Sequence, residues 1–449
     1  MTTGIKDKKL PVGIDGKAMN LSVVGSGYIG LVTGIGLAMS GHQVTCIDCD
    51  STVVTKINHA IYPFYEPSLD GLLEKCVNKN CNLKAVEEYS EIANCDASFI
   101  CVGTFSKSEN NTDFSNIADA AAQIGHALRD TNAYHLVVVK STVPPGTTEE
   151  VIIPILEKQS SKKAGRDFGV AVNPEFIQEG NASRSSLNPD RVIIGEHDQK
   201  AGDILQSLYE SSYSGPIIRT SIRTAEMIKY ASNAFLATKI TFINEIGNLC
   251  KKLGIDVYDV AQGMGYDPRI GQRFLNAGIG FGGSCLPKDL EELICRAQQT
   301  GYDSRLLSAV LNINAAQPLI LTQIAEERLG GLKDKVVTVL GLAFKAGTDD
   351  MRDAPSLKVI AQLMSQGALV KTYDPKAMPR AKTIVGDGVE FCASAQEAID
   401  GTDCVLIVTD WEQFKDEELY RGKLVIDGRR ALDPDTANHV CAHYEGVCW

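Results

Sequence analysis

The stretch Gly282-Gly283-Ser284-Cys285-Leu286-Pro287, running on into Lys288-Asp289, places a thiol among small residues with a cation and a carboxylate just beyond it. Most free cysteines are small buried hydrophobes, so it is the setting that singles out Cys285. Adjacent glycines let a substrate approach the backbone closely, and a nearby lysine favours the thiolate. A thiolate adds to an aldehyde carbon, and the covalent adduct divides a hard step into easier ones. Far upstream, Gly25-Ser26-Gly27-Tyr28-Ile29-Gly30 has the spacing of a dinucleotide-binding turn. A hydride acceptor and a thiolate together can take an alcohol to an aldehyde, trap it as a thiohemiacetal, oxidise that to a thioester and hydrolyse it to an acid. That is a four-electron oxidation in one site.

In the fingerprint, Gly25 makes the turn, Gly27 lets a pyrophosphate approach, and Gly30 permits close helix packing. Tyr28 and Ile29 belong to the same cofactor-binding set. Asp48, at the end of the following apolar run, would accept hydrogen bonds from a ribose diol and repel a 2′-phosphate, so NAD is expected over NADP.

These residues need a framework, and the apolar pattern supplies one. Leu21–Val24 enters the glycine turn, Leu31–Met39 continues as an apolar helix, and Gln43–Asp48 reads as the second strand of a βαβ unit. Further strands are expected at Ala97–Val102, Leu136–Lys140 and Val170–Asn173, giving a parallel, doubly wound α/β sheet. From Thr224 to Leu253 apolar residues recur at helical spacing, predicting one long helix that connects two lobes or forms a subunit interface. Helical character is expected to run on to about Glu327. A second Rossmann-like unit opens at Lys335–Gly341 and continues through Leu369–Tyr373, Cys404–Val408 and Leu424–Asp427. Its turn, Gly341-Leu342-Ala343-Phe344, lacks the full glycine spacing, so a different nucleotide ligand is expected there. The expected division is an extension over residues 1–19, an NAD-binding domain over 20–217, a central helical domain over 218–327 and a second Rossmann-like domain over 328–449.

Composition sets outer bounds. The chain has 449 residues, 44% hydrophobic and 22% charged, room for several globular units with real cores. A net charge of −12 argues against a general nucleic-acid or membrane-surface binder. No apolar run reaches the roughly 18 residues of a membrane span, and the first twenty residues have no apolar core of a secretory signal. Thirteen cysteines, an odd number at irregular spacing, read as reduced thiols in a cytoplasm. Cys46 and Cys49 have CxxC spacing without a second pair, and His439, Cys441, His443 and Cys448 lie close together in what reads as an irregular tail. No metal is expected at either place.

Six ordered blocks carry a resemblance. They are Ser141-Thr142-Val143-Pro144-Pro145-Gly146, Asn173-Pro174-Glu175-Phe176, Glu226-Met227-Ile228-Lys229-Tyr230 running into Asn233, Asp267-Pro268-Arg269-Ile270-Gly271, the Gly-Gly-Ser-Cys block, and Gly341-Leu342-Ala343-Phe344-Lys345. With the fingerprint, the chain from Leu21 to the Asp427-Gly428-Arg429 segment resembles the nucleotide-sugar 6-dehydrogenase family. The resemblance implies an NAD-binding Rossmann domain, a helical dimerisation region and a UDP-sugar domain.

By the same resemblance Cys285 is the nucleophile, with Asp289 its carboxylate neighbour. Lys229 and Asn233, four apart on the long helix, line the oxidation site, the lysine stabilising an oxyanion and the amide positioning an oxygen or a water. Glu175 is implied as general base for the hydrolytic water. Glu179, Thr104, Thr142, Lys288 and Arg352 are implied cofactor contacts, Thr142 also acting through an ordered water. Glu175, Phe176, Lys229, Asn233, Arg269, Phe274, Gly282, Lys345 and Arg429 are implied sugar-nucleotide contacts, with Arg269 reaching in from a neighbouring subunit of a homodimer or higher oligomer.

Two departures bear on substrate choice. Leu286 follows the nucleophile, as in the GDP-mannose branch, and Phe105 replaces a proline common after Val-Gly-Thr. Asn173–Gly180 and Asp267–Gly271 resemble the UDP-glucose branch. The expected reaction is therefore oxidation of UDP-glucose to UDP-glucuronate with two NAD and one water. GDP-mannose or a UDP-N-acetylhexosamine is the alternative substrate, and a two-electron hydroxyacid dehydrogenase the simpler alternative.

Overall fold

The structure, a computed structural model, describes residues 18–108 and 111–449. The expected N-terminal extension up to residue 17 and the Phe105 side chain lie outside the described residues. Two compact units divide between Ala231 and Ser232.

The first unit carries β1 (Asn20–Val24), β2 (Gln43–Ile47), β3 (Leu83–Val86), β4 (Ala97–Ile100), a separate antiparallel pair β5 (Phe105–Ser108) and β6 (Asn111–Asp113), then β7 (Leu136–Val139), β8 (Gly169–Val172), β9 (Val192–Glu196) and β10 (Ile217–Ser221). The eight-stranded sheet runs β10-β9-β8-β7-β4-β1-β2-β3. Strands β4, β7 and β8 are buried along their whole length, as continuous apolar runs must be when helices cover both faces. The helix Tyr28–Met39 starts directly after the glycine turn and buries Gly30 to Ile35 against the sheet.

The sheet is parallel, as expected, except at one pair. β8 pairs antiparallel with β9, Ala171 opposite Glu196 and Val172 opposite Gly195. Between them the only α-helix is Ala182–Leu187, six residues or roughly 9 Å long. It does not carry the chain back along the sheet, so β9 enters from the opposite end.

The long helix is Ile222–Leu253, 32 residues, starting two residues before its expected position. In the second unit it is followed by helices Val257–Gly265, Leu286–Gln299 and Arg305–Leu329. Helical character does not run unbroken: residues 266–285 form no helix. Pro268 and the left-handed glycines Gly271, Gly280 and Gly283 break it. The second sheet comprises β11 (Val336–Leu340), β12 (Leu369–Tyr373), β13 (Glu390–Phe391), β14 (Cys404–Ile407), β15 (Leu424–Asp427) and β16 (His443–Gly446) in the order β13-β12-β11-β14-β15-β16. The tail read as irregular is thus ordered: a helix, Pro434–Val440, leads into an edge strand, β16, parallel to β15. Among the described residues no helix is long and apolar enough to cross a membrane.

Candidate active site

In the first unit the candidate residues gather on loops at the carboxyl ends of the strands. Gly25 is left-handed (φ +88°), and a Cβ there would lie 2.9 Å from the Val102 backbone. A Cβ on Gly30 would lie 1.7 Å from the Gly25 carbonyl oxygen, so strand, turn and helix close up only with glycine at both positions. At Gly27 a Cβ would meet nothing within 4 Å of the protein. The space in front of it is open at a helix N-terminus, where backbone N–H groups and the dipole favour a phosphate. Asp48 is half-buried and takes Ser26 N–H on Oδ2 (2.6 Å) and Asp50 N–H on Oδ1 (3.0 Å), which leaves acceptor capacity for a diol. Thr104 and Thr142 follow β4 and β7, joined by a hydrogen bond from Thr104 Oγ1 to the Thr142 carbonyl (3.1 Å). These residues fit a dinucleotide.

Beyond β8, Lys140 Nζ donates to Asn173 Oδ1 (2.8 Å) and Asn173 Nδ2 donates to the Ile193 carbonyl (2.9 Å), fixing the turn at Pro174. Glu175 then points into a buried ion pair: Lys229 Nζ lies 2.9 Å from its Oε1, and the side chains are only 5% and 4% exposed. Ile177 N–H donates to Oε2 (2.5 Å). Removing either partner of such a pair strands a desolvated charge. Phe176 is covered by Arg191 at 3.9 Å and faces Lys229 Nζ at 5.3 Å from its ring centre. Glu179 lies near Tyr28; burial, then Glu66, then Glu179 raise the Tyr28 pKa, so its hydroxyl stays protonated.

In the second unit Cys285 occupies the N-cap of the helix Leu286–Gln299, with Asp289 N–H donating to its carbonyl (2.9 Å). The helix N-terminus supplies positive field that favours a thiolate. Cys285 is half-buried, whereas eight of the thirteen free thiols are buried. The glycines before it are dictated by contact. A Cβ on Gly282 would lie 2.2 Å from the Asp353 carbonyl oxygen, and one on Gly283 2.8 Å from the Phe344 ring. Gly283 N–H donates to the Arg352 carbonyl (2.9 Å). Asn233 Nδ2 donates to Asp289 Oδ2 (2.6 Å). Lys288 Nζ lies 2.9 Å from both Asp289 and Glu292. Burial alone would lower the Lys288 pKa, but these two carboxylates hold it above the usual lysine value. Its charge is thus matched twice over by Asp289 and Glu292. Glu292 was not singled out from the sequence, although its i,i+4 spacing from Lys288 was a signal.

The remaining candidates in this unit are engaged in different ways. Arg269 is bonded to Asp267 with its side chain 87% exposed. Phe274 is half-buried in a left-handed conformation (φ +65°), an uncommon state for a bulky residue. Lys345 Nζ lies 5.3 Å from the Phe344 ring. Arg352 is gripped by both oxygens of Asp350. Arg429 donates to the Val408 and Gly280 carbonyls (3.0 and 2.8 Å), pinning the stretch before the nucleophile. Cys46 is buried, its thiol pushed up to about 12 by burial. His439 and His443 bond to Asp435 and Glu445. Among the described residues no three His, Cys, Asp or Glu side chains converge to hold a metal.

The chain matches the UDP-glucose/GDP-mannose dehydrogenase family in its NAD binding domain over residues 19–213, its central domain over 223–316 and its UDP binding domain over 338–434. It is 42% identical over 437 residues to the UDP-glucose 6-dehydrogenase YwqF of Bacillus subtilis, covering 96% of this chain and 97% of that one. A UDP-glucose dehydrogenase structure from the archaeon Pyrobaculum islandicum superposes with a TM-score of 0.91 at 40% identity, covering 96% and 98% of the two chains. A UDP-D-ManNAc dehydrogenase from Pyrococcus horikoshii follows at a TM-score of 0.84 and 31% identity, covering 96% and 99%.

Proposed function

Because the chain belongs to the UDP-glucose/GDP-mannose dehydrogenase family, we propose that it oxidises the primary alcohol of UDP-glucose to the carboxylate of UDP-glucuronate, consuming two NAD and one water. The observation that carries this reading is a half-buried thiol at a helix N-cap, in a chain that also holds an open dinucleotide turn. NAD, when bound, accepts the hydride released at each oxidation. Gly25, Gly27, Tyr28, Ile29, Gly30 and Asp48 would hold it, with Thr104, Thr142, Glu179, Lys288 and Arg352 as further contacts.

The chain's own residues divide the remaining work. The Cys285 thiolate adds to the aldehyde carbon, forming a C–S bond while the carbonyl electron pair moves to oxygen. Lys229 offsets the charge on that oxygen, and the Asn233 amide orients it. Once the adduct is a thioester, Glu175 takes a proton from water, the hydroxide adds to the carbonyl, and the C–S bond breaks to return the thiolate. Asp289 keeps Asn233 in place through their 2.6 Å hydrogen bond. Phe176, Arg269, Phe274, Gly282, Lys345 and Arg429 would hold the sugar-nucleotide.

UDP-glucose is favoured by the names of relatives at about 40% identity. Leu286, as in the GDP-mannose branch, keeps GDP-mannose as a second reading beside a UDP-N-acetylhexosamine. Comparing kcat/KM across these three nucleotide sugars decides it, with UDP-glucose expected highest; a tenfold preference for another would replace the substrate.

The proposed working form is a homodimer or larger. On the long helix Phe235, Phe242 and Leu249 recur every seven residues at 65%, 45% and 54% exposure, a stripe suited to a second copy. The proposed domains are 20–217, 218–327 and 328–449, and thirteen free thiols support a cytoplasmic location.

A further inference from the structure

One buried carboxylate in the first unit has no part in the chemistry above. Glu66 is 5% exposed and its described donors are all neutral. On Oε2 it accepts the Tyr28 hydroxyl and Gly180 N–H (2.6 Å). On Oε1 it accepts Ser68 N–H (3.2 Å) and Ser68 Oγ–H (2.5 Å), and Ser68 Oγ in turn accepts Ser183 N–H (3.1 Å). One carboxylate therefore ties together three segments far apart in sequence. They are the start of the helix behind the glycine turn, the turn at Pro67, and the segment 178–183, a loop carrying Glu179 that runs into the helix Ala182–Leu187.

Tyr28 is the first residue of its helix, directly after the open Gly27 position. Its ring packs on Phe64 at 4.8 Å, and Tyr62 braces the same turn by donating to the Leu69 carbonyl and accepting Leu73 N–H. Both Glu66 oxygens receive a backbone N–H, and neither donor can be turned round. Only an acceptor at both positions satisfies the site, so an amide in place of the carboxylate must set a donor against a donor. Four donors on a buried anion are strong, directional bonds.

Resting on the NAD reading above, we propose that Glu66 is a positioning residue for the cofactor: it fixes the glycine turn and the Glu179 loop in one register before NAD arrives. Losing it makes the protein order these segments at the expense of binding, so cofactor affinity falls while the thiol chemistry of the second unit is spared.

The test is Glu66→Gln in the full-length enzyme, read by equilibrium NAD binding, KM for each substrate, kcat at saturation and melting temperature. The expected result is an NAD Kd raised roughly tenfold, with KM for UDP-glucose within about twofold and kcat at saturating NAD largely kept. Tyr28→Phe removes a single donor and is expected to raise NAD Kd roughly threefold, with less than the additive effect in the double variant. An NAD Kd within twofold of wild type in folded Glu66→Gln overturns the proposal. So does a parallel rise in both KM values with a lowered melting temperature, which marks a merely structural role. Where Glu66→Gln does not fold, Tyr28→Phe decides: unchanged NAD Kd overturns the proposal. Failure of wild-type protein to bind NAD would instead sink the cofactor reading.

Discussion

The two Rossmann-like sheets open on the same device and use it differently. After β1 the chain turns at Gly25 (φ +88°), and after β11 at Gly341 (φ +93°). In each case a Cβ would strike backbone following the neighbouring strand, Val102 in one sheet and Thr409 in the other. Each turn is then held by an aspartate after the next strand. Ser26 N–H donates to Asp48, and Leu342 and Ala343 N–H donate to Asp374 (2.7 and 3.1 Å). There the likeness ends. Asp374 also accepts Lys376 N–H, Ala377 N–H and Trp411 Nε1–H, and is 1% exposed. Five donors fill a carboxylate with about four lone-pair sites. Asp48 takes two and stays half-exposed. The topology repeats, but ligand capacity turns on what remains unsatisfied. A nucleotide at the second sheet would have to be met by groups other than Asp374; Lys345 and Arg429 are the ones proposed above.

The largest effect is expected in the second unit at the thiol. Cys285→Ser should lower kcat by roughly a thousandfold, because an alkoxide forms far less readily than a thiolate, while NAD binding in the first unit persists. Any adduct that forms is an ester, slow to hydrolyse and detectable by intact-mass spectrometry. Near-normal turnover would mean a simpler dehydrogenase.

Substituting the paired aspartates sharpens the comparison. Asp374→Ala strands several buried N–H donors and should cost about 3 kcal/mol of stability in denaturant unfolding. Asp48→Ala should leave stability almost unchanged but raise KM for NAD roughly tenfold and erase the preference over NADP. Equal responses at the two positions would dissolve the distinction.

A smaller effect concerns the tail. Burial alone would raise the Glu445 pKa, but Arg328, Lys251 and His443 hold it down to about 2. A depressed acid stabilises the fold above its unfolded pKa and loses that contribution as pH falls toward the folded value. Melting temperature should therefore drop between about pH 4.5 and pH 2, and Glu445→Gln should flatten that slope; an unchanged slope would mean that Glu445 does not anchor the tail.

What the sequence disclosed was local. The glycine turn, Asp48 and the long helix announce themselves through residues a few positions apart, and their physics is backbone geometry and helical period. Glu66 stayed hidden because two of its partners, Tyr28 and Gly180, lie 38 and 114 residues away. Asp374 stayed hidden because the shortened glycine spacing after β11 masks a repeated turn. The direction of β9 could not be read, since an apolar run such as Val192–Ile194 packs equally well either way. β16 escaped because His443-Tyr444-Glu445-Gly446 carries little strand signal, and its place comes from pairing with β15.

Counting reducing equivalents tests most directly whether a double oxidation is held on one thiol. UDP-glucose at limiting concentration, with excess NAD, should yield two NADH per sugar with no aldehyde captured by an added hydrazine. One NADH per sugar, or a trapped aldehyde in stoichiometric yield, would contradict the account.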